Sequence, residues 1–177
     1  MKIFKFFNLV LLSFILLLSS NLNSYKSGIT NSTSTATISE YVAFALSNYF
    51  TVGINFGSVS PASVGNNATN NSLFTVTLSN DTSANAKLCT NSSDLISGGN
   101  TITVGNLSYY PSLNQTVLNG TSFLNGTNYT TTITSAITGL HANDVVYWNF
   151  WLNIPEGQSA GSYNGNVYFE GVSSGAC

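Results

Sequence analysis

Alternation of apolar and polar residues is the feature that most constrains the fold of this chain. Residues 50–56, 74–78 and 163–170 each place aromatic or β-branched side chains at every second position. Such period-two patterns predict half-buried β-strands. The run 145–154 is apolar at both odd and even positions, which predicts a strand buried on both faces.

Short strands are expected over the whole region 41–177. Apolar residues also favour strands near 41–46, 86–90, 101–109 and 129–138, and Asn-Gly pairs such as Asn164-Gly165 supply turn residues between strands. Seven to nine strands at this spacing predict an all-β fold, an immunoglobulin-like (Ig-like) antiparallel β-sandwich. The Cys…Trp…Cys pattern of immunoglobulin domains is missing, so the prediction concerns the architecture only.

Composition excludes one class of partner and indicates a compartment. Only 6% of residues are charged, and the four basic residues are all lysines. Nucleic-acid binding depends on Lys and Arg that neutralise phosphates, so no nucleic-acid partner is expected. The chain instead contains 24 Asn, 26 Ser and 20 Thr. A surface that is polar but uncharged suits a secreted, extracellular protein, because a cytosolic protein normally stays soluble through its charge.

The N-terminus has the pattern of a secretory signal peptide. Lys2 and Lys5 precede an apolar run over 9–18 and a polar stretch over 19–24. We assign residues 1–24 to the signal peptide, with cleavage between 20 and 26, and expect membrane contact only during secretion. The alternative is a type IV-like pilin that retains its N-terminal helix, but the charged residue and glycine that precede such a helix are missing.

Residues 25–40 form a separate N-terminal extended segment rich in Ser and Thr. Ser32, Ser34, Ala36 and Ile38 share one parity, whereas Asn31 lies on the other. If the segment pairs with a sheet, we expect the even positions to face inward. The alternative is a flexible, O-glycosylated stalk.

N-glycosylation sequons are the most frequent motif. Nine of the ten lie between residues 67 and 128, which predicts a sugar-coated half over 67–130 and a core or contact half over 131–177. The alternative is that composition bias alone placed them. The predicted acceptors of N-linked glycans are Asn31, Asn67, Asn70, Asn80, Asn91, Asn106, Asn114, Asn119, Asn125 and Asn128.

Two cysteines, Cys89 and Cys177, predict one disulfide in an oxidising compartment. Within one chain the bond would fix the C-terminus to a middle strand. A bond between two subunits is the alternative.

No residue set predicts catalysis or a cofactor. His141 is the one histidine, whereas a blue-copper site needs two with a cysteine, so no metal ligands are assigned. His141 and Asp144 could join a serine in a triad, but no nucleophile-elbow sequence accompanies them. We expect no catalytic residues and no enzymatic activity, and we expect His141 to be a surface loop residue between Gly139 and Asp144.

Three stretches resemble subunits of secreted prokaryotic fibres. They are FTVGINFGSVSP (50–61), FTVTLSNDTSANAKL (74–88) and WLNIPEGQSAGSYNGNVYFEGV (151–172). With the dense sequons and scarce charge, the chain resembles subunits of archaeal thread filaments and bundling pili, which are relatives of bacterial biofilm-matrix fibre proteins. The resemblance implies a head-to-tail homopolymer in which an N-terminal donor strand completes the sandwich of the next subunit. By position that strand would be residues 28–39.

Function is therefore expected to be structural. A sandwich that lacks an edge strand exposes apolar side chains and unpaired backbone groups, and a neighbour's extended segment can cover both. Tyr147 and Trp151 are candidates for this interface, with burial in their own subunit as the alternative. The expected filament would serve adhesion or biofilm cohesion. The alternative function is a solitary Ig-like surface-coat or carbohydrate-binding module.

Overall fold

The structure, a computed structural model, describes residue 36 and residues 40–82, 85–173 and 175–177. The predicted signal peptide, the sequon at Asn31 and most of the candidate donor strand (Ser32, Ser34 and Ile38) lie outside the described residues. Ala36 is described and is exposed. All strands and helices described below belong to one unit, Ile38–Cys177.

The described part of the chain is built mainly from short strands. The strands are β1 (Phe44–Leu46), β2 (Asn66–Asn67), β3 (Phe74–Leu78), β4 (Ala86–Ser92), β5 (Leu95–Ser97), β6 (Asn100–Ile102), β7 (Leu107–Ser112), β8 (Thr127–Asn128), β9 (Thr134–Leu140), β10 (Val145–Leu152) and β11 (Val167–Val172). Helices α1 (Asn48–Val52) and α2 (Gln115–Asn119) and the 3₁₀ turns Val104–Asn106 and Phe123–Asn125 connect them.

The strands pair antiparallel in two main sheets. The larger sheet has the order β1-β3-β10-β7-β8, with β2 also paired to β10. The smaller sheet has the order β11-β4-β9, and β5 and β6 form a separate hairpin. Buried side chains from both main sheets form one apolar cluster. The prediction of an all-β antiparallel sandwich is confirmed.

Strand β10 carries the centre of the core, as its sequence predicts. On its inner face the ring of Trp148 lies 5.6 Å from that of Tyr109 and 5.1 Å from that of Phe169. On its outer face the Asn149 side chain donates a hydrogen bond to the Leu118 carbonyl of α2. Trp151 on the same outer face is only 2% exposed. The alternative for Trp151, burial in its own subunit, is confirmed, and its placement at an interface is wrong, because a Cβ atom on Gly126 would lie only 3.3 Å from Trp151 Cε3.

The prediction of a strand over residues 50–56 is also wrong. This stretch begins in α1 and continues without pairing to another described strand. Gly53 and Gly57 have positive φ angles of 96° and 66°, a conformation that interrupts a strand. The alternation still marks burial, because Phe50, Ile54 and Phe56 pack against the core.

Candidate functional site

A groove with a volume of about 840 Å³ lies between two irregular segments of the sandwich. One wall is formed by residues 53–59, which follow α1, and the other by residues 161–169, which lead into β11. Among the described residues that line it, none is charged. Five buried apolar side chains form its floor: Leu95, Ile102, Leu107, Leu152 and Ile154.

Strand β11 borders the groove with an open edge. Among the described residues, β4 is the one strand that pairs with β11. The Ser93 N–H donates to the Asn166 carbonyl. Asn166 and every second residue after it therefore direct their backbone N–H and C=O groups toward β4. The N–H and C=O groups of Val167, Phe169 and Gly171 therefore point away from β4, toward the open side. An open edge of this kind can pair with a further strand.

One end of the groove is closed by side chains that precede and begin β1. A Cβ atom on Gly171 would lie 2.7 Å from Val42 Cγ1 and 3.0 Å from Phe44 Cδ1. These side chains therefore rest directly on the backbone of β11, and only glycine allows that approach. The lining of the groove stops before this point, at Phe169.

Phe50 and Phe169 connect the two walls to the core. Their rings lie 5.1 Å apart in an edge-to-face arrangement, and the Phe50 ring is also 5.1 Å from that of Phe74. Such aromatic pairs add to the stabilisation that comes from burial alone. The groove therefore has an aromatic cluster at its base.

The predicted glycan acceptors lie outside the groove. The asparagines that line it, Asn55, Asn164 and Asn166, are not part of sequons. Of the nine sequon asparagines in the described residues, Asn91 and Asn106 are half-buried and use Nδ2 as a hydrogen-bond donor, and the other seven are exposed. Glycosylation at these positions stays a prediction. The proposed division into halves is wrong, because β3, β4 and β7 also supply buried side chains to the core.

The predicted disulfide between Cys89 and Cys177 is present within one chain, with a Cα–Cα distance of 5.8 Å. Cys89 is fully buried on β4, opposite Glu170 of β11. The Lys87 ammonium group donates to the carbonyl of Gly175, so the chain after β11 folds back toward β4. The disulfide thus anchors the chain beyond β11, a strand with one partner in the described residues.

His141 lies at the surface in the turn between β9 and β10, as expected. The Asp144 carboxylate accepts a hydrogen bond from the His141 backbone N–H at 2.7 Å, and His141 Nδ1 lies 3.8 Å from Asp144 Oδ2. Within the described ranges no group of three or more His, Cys, Asp or Glu side chains could hold a metal ion. This pair therefore stabilises a turn.

The hydroxyl groups of two core tyrosines have raised pKa values. The rings of Tyr109 and Tyr129 lie 4.4 Å apart. Burial raises the pKa of the Tyr129 hydroxyl far above its ordinary value, and a hydrogen bond with Thr90 opposes this only weakly. Burial also raises the pKa of Tyr109. Both hydroxyls therefore stay protonated in the folded chain well into the alkaline range.

Sequence reasoning missed most of the groove. Its walls come from segments about 110 residues apart, so no local pattern reveals that they face each other. One available signal was glycine content, because Gly53, Gly57, Gly161 and Gly165 all lie along the walls. Tyr147, the other candidate interface residue, is half-buried and is not among the groove residues.

Fold and groove together define an antiparallel β-sandwich in which, among the described residues, the open edge of β11 borders an uncharged cleft with an apolar floor. No protein-family model, curated protein or solved structure matches this chain. In the part of the chain that the structure describes, no helix is both long and apolar enough to span a membrane.

Proposed function

We propose that this chain is the structural subunit of a secreted, N-glycosylated cell-surface filament that serves adhesion or biofilm cohesion. Subunits join head to tail by donor-strand complementation, in which the N-terminal segment of one copy occupies the groove of the next. The observation that carries the proposal is the groove beside the open edge of β11. Of the described strands, only β4 pairs with β11.

The chemistry of the groove favours an extended peptide over a small polar ligand. Its floor is apolar, and Val167 and Phe169 on its wall direct backbone groups to the open side. Added strands bind through main-chain hydrogen bonds, with alternate side chains in apolar pockets. The volume of about 840 Å³ lies in the upper range of ligand sites.

The N-terminal segment matches the groove in its lack of charge. Residues 27–39 contain no charged side chain, and the described lining of the groove contains none either. Thr and Ile in the segment favour strands. Ser32, Ser34, Ala36 and Ile38 share one parity, so they would enter the groove together. A head-to-tail contact of this kind does not close on itself, and it therefore produces a linear polymer.

The distribution of sequons supports the proposal that the groove is a binding surface. The described sequon asparagines lie outside the groove lining, so glycans on them would leave the groove accessible. The Cys89–Cys177 disulfide suits an oxidising, extracellular compartment.

Two matched variants of the full chain test the proposal. Ile38→Asp places a charge on the parity that would enter the groove, whereas Ile29→Asp places the same charge on the other parity. The expected result is detergent-resistant ladders on gels and filaments by electron microscopy for the native chain and for Ile29→Asp. Ile38→Asp should remain a monomer by light scattering.

Two outcomes would contradict the proposal. A native chain that stays monomeric at all concentrations would instead indicate a solitary surface-coat or carbohydrate-binding module. Assembly of Ile38→Asp as efficient as that of Ile29→Asp would show that the even positions do not enter a groove.

A further inference from the structure

Four of the five residues of helix α1 belong to types that favour strands. Its five residues are Asn, Tyr, Phe, Thr and Val, and none of them is a strong helix former. None of the five is buried, and the Ser47 side chain does not cap the helix, because its Oγ accepts a hydrogen bond from the Thr75 N–H instead. Helices of this length are not stable on their own in water. Local interactions therefore hold α1 only weakly.

The strand pattern of the sequence continues from α1 into the groove wall. In a strand, Phe50, Val52, Ile54 and Phe56 would share one face. In the present conformation three of them pack against the core, but Val52 is 83% exposed although it lines the groove. Conversion to a strand would bring Val52 onto the same face as the other three.

The backbone beyond α1 has few hydrogen bonds and room to move. Within the described residues, the N–H groups of 54–56 donate no hydrogen bond, and the Asn55 carbonyl accepts one from the Thr69 N–H at 2.7 Å. No atom lies within 4 Å of the position that a Cβ would take on Gly53 or Gly57. The N–H groups of 54–56 therefore have no acceptor among the described residues, in a segment that lines the groove.

We infer that residues 50–57 are a second docking edge, which changes from helix and coil to a β-strand when the N-terminal segment of a second copy enters the groove. The inference rests on the proposed function, which supplies that occupant. The incoming strand then pairs with β11 on one side and with residues 50–57 on the other. Both sets of unpaired backbone groups gain partners, and the exposed side chain of Val52 is covered.

Amide hydrogen exchange on the full chain tests the inference, with the polymer compared against the unpolymerised fraction of the same preparation. In the polymer, the amides of Ile54 and Phe56 should exchange at least about tenfold more slowly, together with those of Val167 and Phe169, because alternate residues of a strand face the same edge and the Asn55 carbonyl already faces Thr69. The amides of β3 are paired in the subunit and serve as the internal reference.

The outcomes separate this inference from the proposed function. A polymer in which the β11 amides are protected while those of Ile54 and Phe56 exchange as before overturns the inference and leaves the proposed function standing. A chain that never polymerises overturns both. A polymer without protection of β11 overturns the donor-strand contact itself, and with it the second docking edge.

A pair of exposed valines provides a matched test by substitution. Val52 is 83% exposed and Val64 is 67% exposed, so neither Val52→Lys nor Val64→Lys should change the melting temperature of the subunit. Val52→Lys should lower the polymer yield at least about tenfold, because docking would bury the new ammonium group. Val64 lies outside the groove lining, and Val64→Lys should assemble normally. Equal yields from the two variants would overturn the inference.

Discussion

Replacing both Cys89 and Cys177 by alanine should lower the free energy of unfolding by about 4.6 kcal/mol. The disulfide joins residues 88 positions apart. In the chain-entropy model, the loss of such a cross-link returns about 15 cal/mol/K of entropy to the unfolded chain, which gives this value at 25 °C. Natural domains are stable by only about 5–15 kcal/mol, so the variant should keep a fraction of its stability.

Urea denaturation of the oxidised native chain and the double variant measures this difference. For a domain of this size, the loss corresponds to a fall in melting temperature of roughly 9–18 °C. Cys89 is fully buried, so its replacement also removes packing contacts. The reduced native chain is the control, because it loses the cross-link but keeps both sulfur atoms.

The disulfide should also protect one strand more than the others. Without it, β11 depends on its pairing with β4, and its amides should exchange faster relative to those of β3. A loss of less than about 1 kcal/mol in both the reduced chain and the double variant would refute the loop-entropy argument. It would mean that the unfolded chain stays compact around residues 89 and 177 without the bond.

Two further predictions concern the helix cap and the buried tyrosines. Asn114 Oδ1 accepts hydrogen bonds from the N–H groups of Thr116 and Val117, so Asn114→Ala should cost about 1 kcal/mol in thermal melts. Thr116→Ala removes the same sequon but keeps the cap, and equal losses would contradict the capping role. Above pH ~10, stability should fall by about 1.4 kcal/mol per pH unit on account of Tyr129, because its hydroxyl ionises only in the unfolded chain. Tyr129→Phe should make this fall less steep in urea denaturation, and parallel curves would contradict the assignment.

Strands whose pattern reflects burial were predictable from the sequence. Phe74, Val76 and Leu78 alternate in the sequence and are all buried in β3. The doubly apolar run of β10 likewise predicted burial on both faces. These strands lie inside a sheet with a neighbour on each side, so local pattern and tertiary pairing agree.

The stretch 50–56 shows where the same reasoning fails. Its alternation is as regular as that of β3, but no described strand lies beside it to accept its hydrogen bonds. A period-two pattern reports which side chains can be buried together, whereas a strand also needs a partner, and a single sequence does not contain that information. The outer-face burial of Trp151 depends in the same way on a distant segment, because Gly126, 25 residues earlier, lies against its ring.

For the candidate site, the disulfide was predictable because two cysteines leave one intrachain pairing, but the sequence left a bond between two subunits open until the structure placed both cysteines in one chain. The groove was not, since the Phe50–Phe169 contact joins residues that nothing in the sequence relates. Its uncharged character, however, follows directly from a chain in which 6% of residues carry charge.

Beyond the end of the groove lining, Gly171 is in close contact with the side chains of Val42 and Phe44. An added strand that advances along β11 as proposed would meet this contact at the same position in every copy. In a filament assembled through this groove, insertion depth would be identical at each junction, and the axial repeat would be constant along the fibre. Replacing Gly171 by a larger residue would displace Val42 and Phe44 and so change the position at which the added strand ends. The axial repeat of such a filament would change with it.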